Sequence, residues 1–328
     1  MFLLLLLSSP TVFAETNPLL ERPIPIDGGP TIVECTLGIL DIDGVSNVDQ
    51  TFTVNVFTLF RWQDLRLRHD GPENARMKIT EIWHPNLMFL NRQRIWASLD
   101  KIAEITPEGE VTLRQQFWGD FSQPMGLRDF PFDQQSFEIH IVSSDAGTTD
   151  KLKLVENVDI PSFLPRKYSV PDWEVVGFTT ESKGLNVPNV GEISSFKMTF
   201  TADRISNHYL VKVMAPLLMI VLLAQVVFWL SPSEGGSQLG VAVTSFLTVI
   251  AYHVALNSKL PQISYLTKLD FCVFWGTSLV FLSMIEVVIT TGLAQKGKKG
   301  LAQKLDRKCR IIFPSLTILG GVYAIFWF

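Results

Sequence analysis

The chain has 328 residues, a formal net charge of -4, 47% hydrophobic residues and 18% charged residues. An acidic balance argues against a nucleic-acid partner. Three cysteines and five histidines, with no CxxC, HExxH or Cys/His cluster, argue against a metal site. No GxSxG, phosphate-binding glycine loop or recognisable pair of catalytic carboxylates occurs, so no catalytic residue and no cofactor is expected.

Residues 1–14 read as a secretory signal. Leu3 to Leu7 form the apolar stretch, and Val12-Phe13-Ala14 places small residues at −3 and −1 of a cut before Glu15, although no Lys or Arg precedes them. The alternative is an ordered apolar segment, too short to cross a bilayer. The following domain, 15–206, is then expected outside the cytoplasm. It holds one cysteine, Cys35, while Cys272 and Cys309 fall in or beside apolar helices, so no intrachain disulfide is expected.

Within 15–206, alternation with period two runs through Thr51 to Phe60, Ser136 to Val142 and Ser195 to Thr201. Such segments bury one face and wet the other, and many of them at short spacing predict an antiparallel all-β sandwich. Trp62, Trp83, Trp96, Trp118 and Trp173 are read first as packing residues.

Four apolar blocks follow, at about 209–230, 238–257, 269–291 and 309–328, each near the ~20 residues needed to span the hydrocarbon layer. Pro216 within the first is tolerable where neighbouring helices satisfy the freed carbonyl. Residues 207–328 are therefore predicted to be a four-helix transmembrane domain. The segment between the third and fourth blocks carries Lys296, Lys298, Lys299, Lys304, Arg307 and Lys308 against one acid, Asp306. The positive-inside rule makes it cytoplasmic, leaving the β domain and the C-terminus on the other side.

The second block differs from the rest. Gly240, Thr244, Leu247, Ala251, Val254 and Ser258 form one helical stripe, polar at both ends and apolar between. Several copies around an axis would make a pore with a hydrophobic constriction at Leu247, Ala251 and Val254. The alternative is a face of small residues for close helix packing, and composition favours neither. Glu234 and Gly236 precede the stripe. A ring of Glu234 carboxylates would concentrate cations there, whereas the plain reading of Glu234 is a solvated turn residue. A membrane-anchored sensor without a pore is the rival of another class. A transporter would show an inverted repeat or a broken helix pair, and neither is visible.

Several separated motifs resemble the pentameric ligand-gated ion channels, in their prokaryotic branch. Trp62-Gln63-Asp64-Leu65-Arg66-Leu67 resembles WxDxRL, Trp83-His84-Pro85-Asn86 resembles WxPD with Asn for Asp, and Phe130-Pro131-Phe132-Asp133-Gln134-Gln135 resembles FPFDxQ. Gln123 and Phe137 stand where animal members carry two cysteines. Arg204, Tyr209 and Pro216 are similar to the junction into the first membrane helix. Leu247 to Tyr252 resembles the upper pore helix, and Leu260-Pro261 with Tyr265 and Asp270 the loop after it.

The resemblance implies five subunits, identical or mixed, in a cell inner membrane, with the second helix lining a pore opened by a small molecule or by protons. It also implies coupling through Phe130, Pro131, Phe132, Asp133, Arg204 and Pro261. On chemical grounds Asp133 is the natural partner for a half-buried Arg204, although Arg204 could equally be an interfacial anchor. Of the positions that build an aromatic amine cage in the family, Phe57 is aromatic, Leu90 and Ser144 are not, and Phe89 is adjacent. The capping stretch from Phe178 to Phe196 has no Tyr or Trp. An amine agonist is therefore not expected, and His208 and His253, near the moving parts, become candidate proton sensors. With no Lys or Arg from Ser231 to Ser258, cations are the expected permeant ions.

Overall fold

The computed structural model describes residues 17–144, 148–165, 167–257 and 263–326. The signal expected at 1–14, and with it Ser258 and Pro261, lie outside these residues.

Among the described residues eleven strands build the first half: β1 (Thr31–Ser46), β2 (Thr51–Gln63), β3 (Ala75–Lys78), β4 (Leu87–Phe89), β5 (Arg92–Ala97), β6 (Ile102–Ile105), β7 (Glu110–Ser122), β8 (Gln134–Ser143), β9 (Leu152–Glu156), β10 (Trp173–Val187) and β11 (Gly191–Arg204). They form a seven-stranded sheet, ordered β3-β6-β7-β2-β1-β9 with β5 also on β7, and a four-stranded sheet, β10-β11-β8-β4. Among the described residues all pairings between these strands are antiparallel except β1 with β9. The core lies between the sheets, where Phe52 packs against Phe121, Phe137 and Phe200 at centroid separations of 5.2–5.7 Å. The expected all-β sandwich is thus the architecture found.

Three of the five tryptophans behave as packing residues. Trp62 and Trp173 are buried, and Trp83 stacks edge-on against Trp62. Trp96 and Trp118 depart from the expectation. They face each other at 5.2 Å on the surface, 53% and 42% exposed, and Trp118 donates its indole N–H to Asp43.

The WxDxRL segment has a structural task. Asp64, 1% exposed, takes two hydrogen bonds from the Arg66 guanidinium at 2.7 and 2.8 Å. The same guanidinium donates to Pro18 O and Glu21 O, fastening the N-terminal segment to the sandwich.

Four long helices follow among the described residues: α1 (Asn207–Trp229), α2 (Gly235–Asn257), α3 (Lys268–Gln295) and α4 (Lys299–Phe326). The first three are long and apolar enough to cross a membrane. A π-helical segment, Leu210–Met214, runs directly into the Pro216 turn of α1, and such segments are frequent at functional sites. α4 corrects the expected boundary: it starts at Lys299, not near 309. Its first turns are basic, so hydropathy conceals a helix that the packed face of Ala302, Asp306, Cys309 and Phe313 sustains. The expected long loop before it is a turn at 296–298. Gly297, at φ 78°, adopts the left-handed conformation there, and Lys298 N–H reaches back to Leu293 O. Gly320 lets α3 approach α4, because a Cβ there would run into the Trp275 ring.

Candidate functional site

Two places concentrate the sequence-predicted residues: the junction between sandwich and helices, and the open face of α2.

At the junction the chain ends its last strand on Arg204, whose cross-strand neighbour is Trp173. The guanidinium lies 4.1 Å from the Trp173 ring centroid and 4.9 Å from that of Phe130. Its Nε and Nη2 donate to the two oxygens of Asp133 at 2.7 and 3.0 Å, and Nη2 also donates to Asn47 Oδ1 at 2.8 Å. Both charged side chains are 2% exposed. Gln135 Nε2 adds a bond to Asp133 Oδ2 at 2.6 Å and one to Gly126 O at 2.8 Å. The charges are therefore paired, bidentate and further hydrogen-bonded, as a buried ion pair requires.

The loop carrying this carboxylate also touches the membrane domain. The Phe130–Pro131 peptide is cis, and Phe130 stacks edge-on against Tyr209 at the start of α1, 4.7 Å away. The backbone N–H groups of Lys268 and Leu269, in the first turn of α3, donate to Arg128 O and Phe130 O at 3.0 and 3.2 Å. These donors have no partner within their own helix, so the sandwich loop completes the N-terminus of α3. Thr267 and Asp270 close that terminus with a reciprocal capping box. Tyr265 Oη accepts the Leu127 N–H, and Lys268 pairs with Asp129 at 2.9 Å. Pro131 is buried and Phe132 is 39% exposed.

On α2, Gln238, Ala242, Ser245, Val249 and Leu256 are buried against the other helices. The stripe residues Gly236, Gly240, Thr244, Leu247, Ala251 and Val254 are exposed, Leu247 at 62% and Val254 at 67%. At ~100° per residue the two sets lie roughly half a turn apart. Glu234, also exposed, ends the short turn Pro232–Glu234 ahead of the helix.

The ligand-pocket candidates do not converge within one subunit. Phe57 is half-buried on β2 of the larger sheet, whereas Leu90, Ser144 and Phe178 lie on or beside the smaller one. Phe89 is 5% exposed and packs edge-on against Phe117 and Phe121, the surroundings of a core residue. His208 is exposed beside the Tyr209 ring, and His253 is half-buried on α2.

Sequence reasoning missed the site roles of Asn47, Trp173 and Lys268, which depend on contacts far apart in the chain, and that of Gln135, two residues from Asp133. It also passed over His140, whose cross-strand neighbour is Lys197. Burial, then the Lys197 charge, hold that imidazole below its ordinary value, against Glu138 and Glu181 nearby.

Comparison with known proteins adds an independent line. A sequence profile of the neurotransmitter-gated ion-channel ligand binding domain matches residues 16–200, and one of the neurotransmitter-gated ion-channel transmembrane region matches residues 213–300. The chain is 26% identical over 337 residues to a proton-gated ion channel of Gloeobacter violaceus, covering 99% of this chain and 90% of that protein. It is 24% identical over 313 residues to the gamma-aminobutyric acid receptor subunit rho-2 of Homo sapiens, covering 92% of this chain and 67% of the relative. The subunit alpha-6 of Gallus gallus is 24% identical over 272 residues, covering 79% and 58%. The chain belongs to the neurotransmitter-gated ion-channel family, the pentameric ligand-gated channels, and is a membrane channel subunit rather than an enzyme.

Proposed function

We propose that five identical copies of this chain form a cation channel, with α2 lining the pore and a proton or small molecule as the stimulus. The observation that carries this reading is the open stripe on α2, set opposite the face that packs on its own bundle. Lipid is a poor alternative neighbour for it, because Gly236, Gly240 and Thr244 bring little apolar surface. α4 offers the contrast, exposing Ile311, Ile318 and Leu319 at 62–71%. Leu247, Ala251 and Val254 would then ring the axis as an apolar constriction that closes by dewetting.

The sensor domain would lie outside the cytoplasm after removal of 1–14, with the basic segment 296–308 on the inner side of a cell inner membrane. Coupling would run through Phe130 to Asp133 and Arg204 into α1 and α3, with Pro261 in the adjoining loop. The depleted aromatic set of Phe57, Leu90, Ser144 and Phe178 disfavours an amine, which turns attention to His208 and His253.

One bilayer experiment tests selectivity and stimulus together. In a salt gradient the reversal potential should move towards the cation equilibrium potential, and Glu234→Gln should reduce that shift. Under pH steps between about 5 and 9, where histidines titrate, the midpoint should move in His208→Gln or His253→Gln. A reversal potential at the chloride value would sink cation selectivity. A flat pH response beside currents evoked by a small molecule would place the stimulus in a ligand pocket.

A further inference from the structure

Inside the helix bundle, away from the α2 stripe and from the sandwich, two carboxyl groups meet. Glu286 on α3 and Asp306 on α4 are 7% and 1% exposed, and their carboxyls lie close enough to act on each other. Among the described residues no N–H or hydroxyl donor reaches either oxygen of Glu286 or Oδ1 of Asp306.

Two like charges this close, cut off from water, cannot both persist. The neighbouring cation is Arg310, one turn beyond Asp306, but its Nε donates to Phe228 O at 2.9 Å and its guanidinium lies 5.8 Å over the Trp229 ring. It makes no ion pair with either carboxylate among those formed by the described residues. The Cys309 thiol also lies near Glu286. α1 and α2 bring no charge to this level, since no ionisable side chain occurs from Val213 to Leu230 or from Gly235 to Ala251. Two carboxylates and one guanidinium sum to zero only when one proton is added.

We infer that Glu286 and Asp306 share one proton, forming a proton-binding site within the helix bundle of each subunit. It is separate from the histidines considered above and holds whichever stimulus opens the channel. α3 packs against both α2 and α4, so losing the proton would place an unbalanced charge directly behind the proposed pore helix. Losing the shared proton would leave a second buried charge uncompensated, so the folded bundle is less stable once that proton is gone.

Infrared spectroscopy of the protein reconstituted in lipid reads the proton directly. The wild type should show, at about pH 7, a protonated-carboxyl C=O band that vanishes in Glu286→Gln and is lost on alkaline titration. The thermal midpoint of the wild type should fall as pH rises from about 4–5, where an ordinary carboxyl ionises, to the pH at which the band is lost. Glu286→Gln, whose amide N–H replaces the shared proton, should show little of that fall. Should the variant fail to assemble, the wild-type band and its alkaline loss still decide. A wild-type spectrum with no such band overturns the inference, as does an equal fall with rising pH in wild type and variant. A midpoint that depends on sodium in place of the band would mean a bound metal ion, and would overturn it too.

Discussion

Replacing Asp133 by alanine is expected to destabilise the protein severely. The Arg204 guanidinium would be left 2% exposed, with Asn47 Oδ1 still accepting from it but no carboxylate beside it, and two aromatic rings around it. Removing one partner of a buried ion pair costs about 3–5 kcal/mol, because the other charge stays buried and uncompensated. Against a typical domain stability of ~5–15 kcal/mol, that is a large share. Thermal unfolding of the purified protein should show the loss. Asp133→Asn retains acceptor and donor atoms at the same place and should fall between. The double variant Asp133→Ala/Arg204→Met should recover part of the loss, since an apolar replacement of the whole pair removes the stranded charge. An Asp133→Ala protein as stable as the wild type, with normal gating, would make Arg204 an interfacial anchor only.

Leu247→Ser is expected to raise basal current or agonist sensitivity. Leucine holds off water through apolar surface worth about 1.5–3 kcal/mol when fully buried, and serine gives most of that up. Suppose serine removes only ~0.3 kcal/mol of closed-state preference per subunit. Over five subunits the sum, ~1.5 kcal/mol, shifts the ratio of open to closed about tenfold. Single-channel recording reads that ratio directly. An assembled Leu247→Ser channel with unaltered open probability would remove Leu247 from the gate.

Where the signal was periodic, the fold was legible in the chain. The alternation from Thr51 to Phe60 lies inside β2, and the segments from Ser136 and from Ser195 lie inside β8 and β11. Apolar length marked the first three membrane helices, but the basic first turns of α4 hid its start at Lys299. The Asp133–Arg204 contact could be anticipated from charge and burial chemistry. Asn47 and Trp173 could not, because a 157-residue separation in one case and a cross-strand register in the other leave no local trace. The pairing of Glu286 with Asp306 had a readable clue: an acid inside an apolar span is costly and seldom idle. Its partner, though, emerges only when α3 and α4 are packed together.

The central claim is that the stripe on α2 faces water in a conducting pore. Cysteine substitution along α2, probed with a charged thiol reagent during current recording, tests it most directly, with the wild type as control because Cys35 and Cys309 are buried and Cys272 is half-buried. The account predicts that modification at Gly240, Thr244, Leu247 and Val254 alters the current, while Ala242, Ser245 and Val249 stay silent. The reverse pattern, or stripe positions that react with no effect on current, would contradict it.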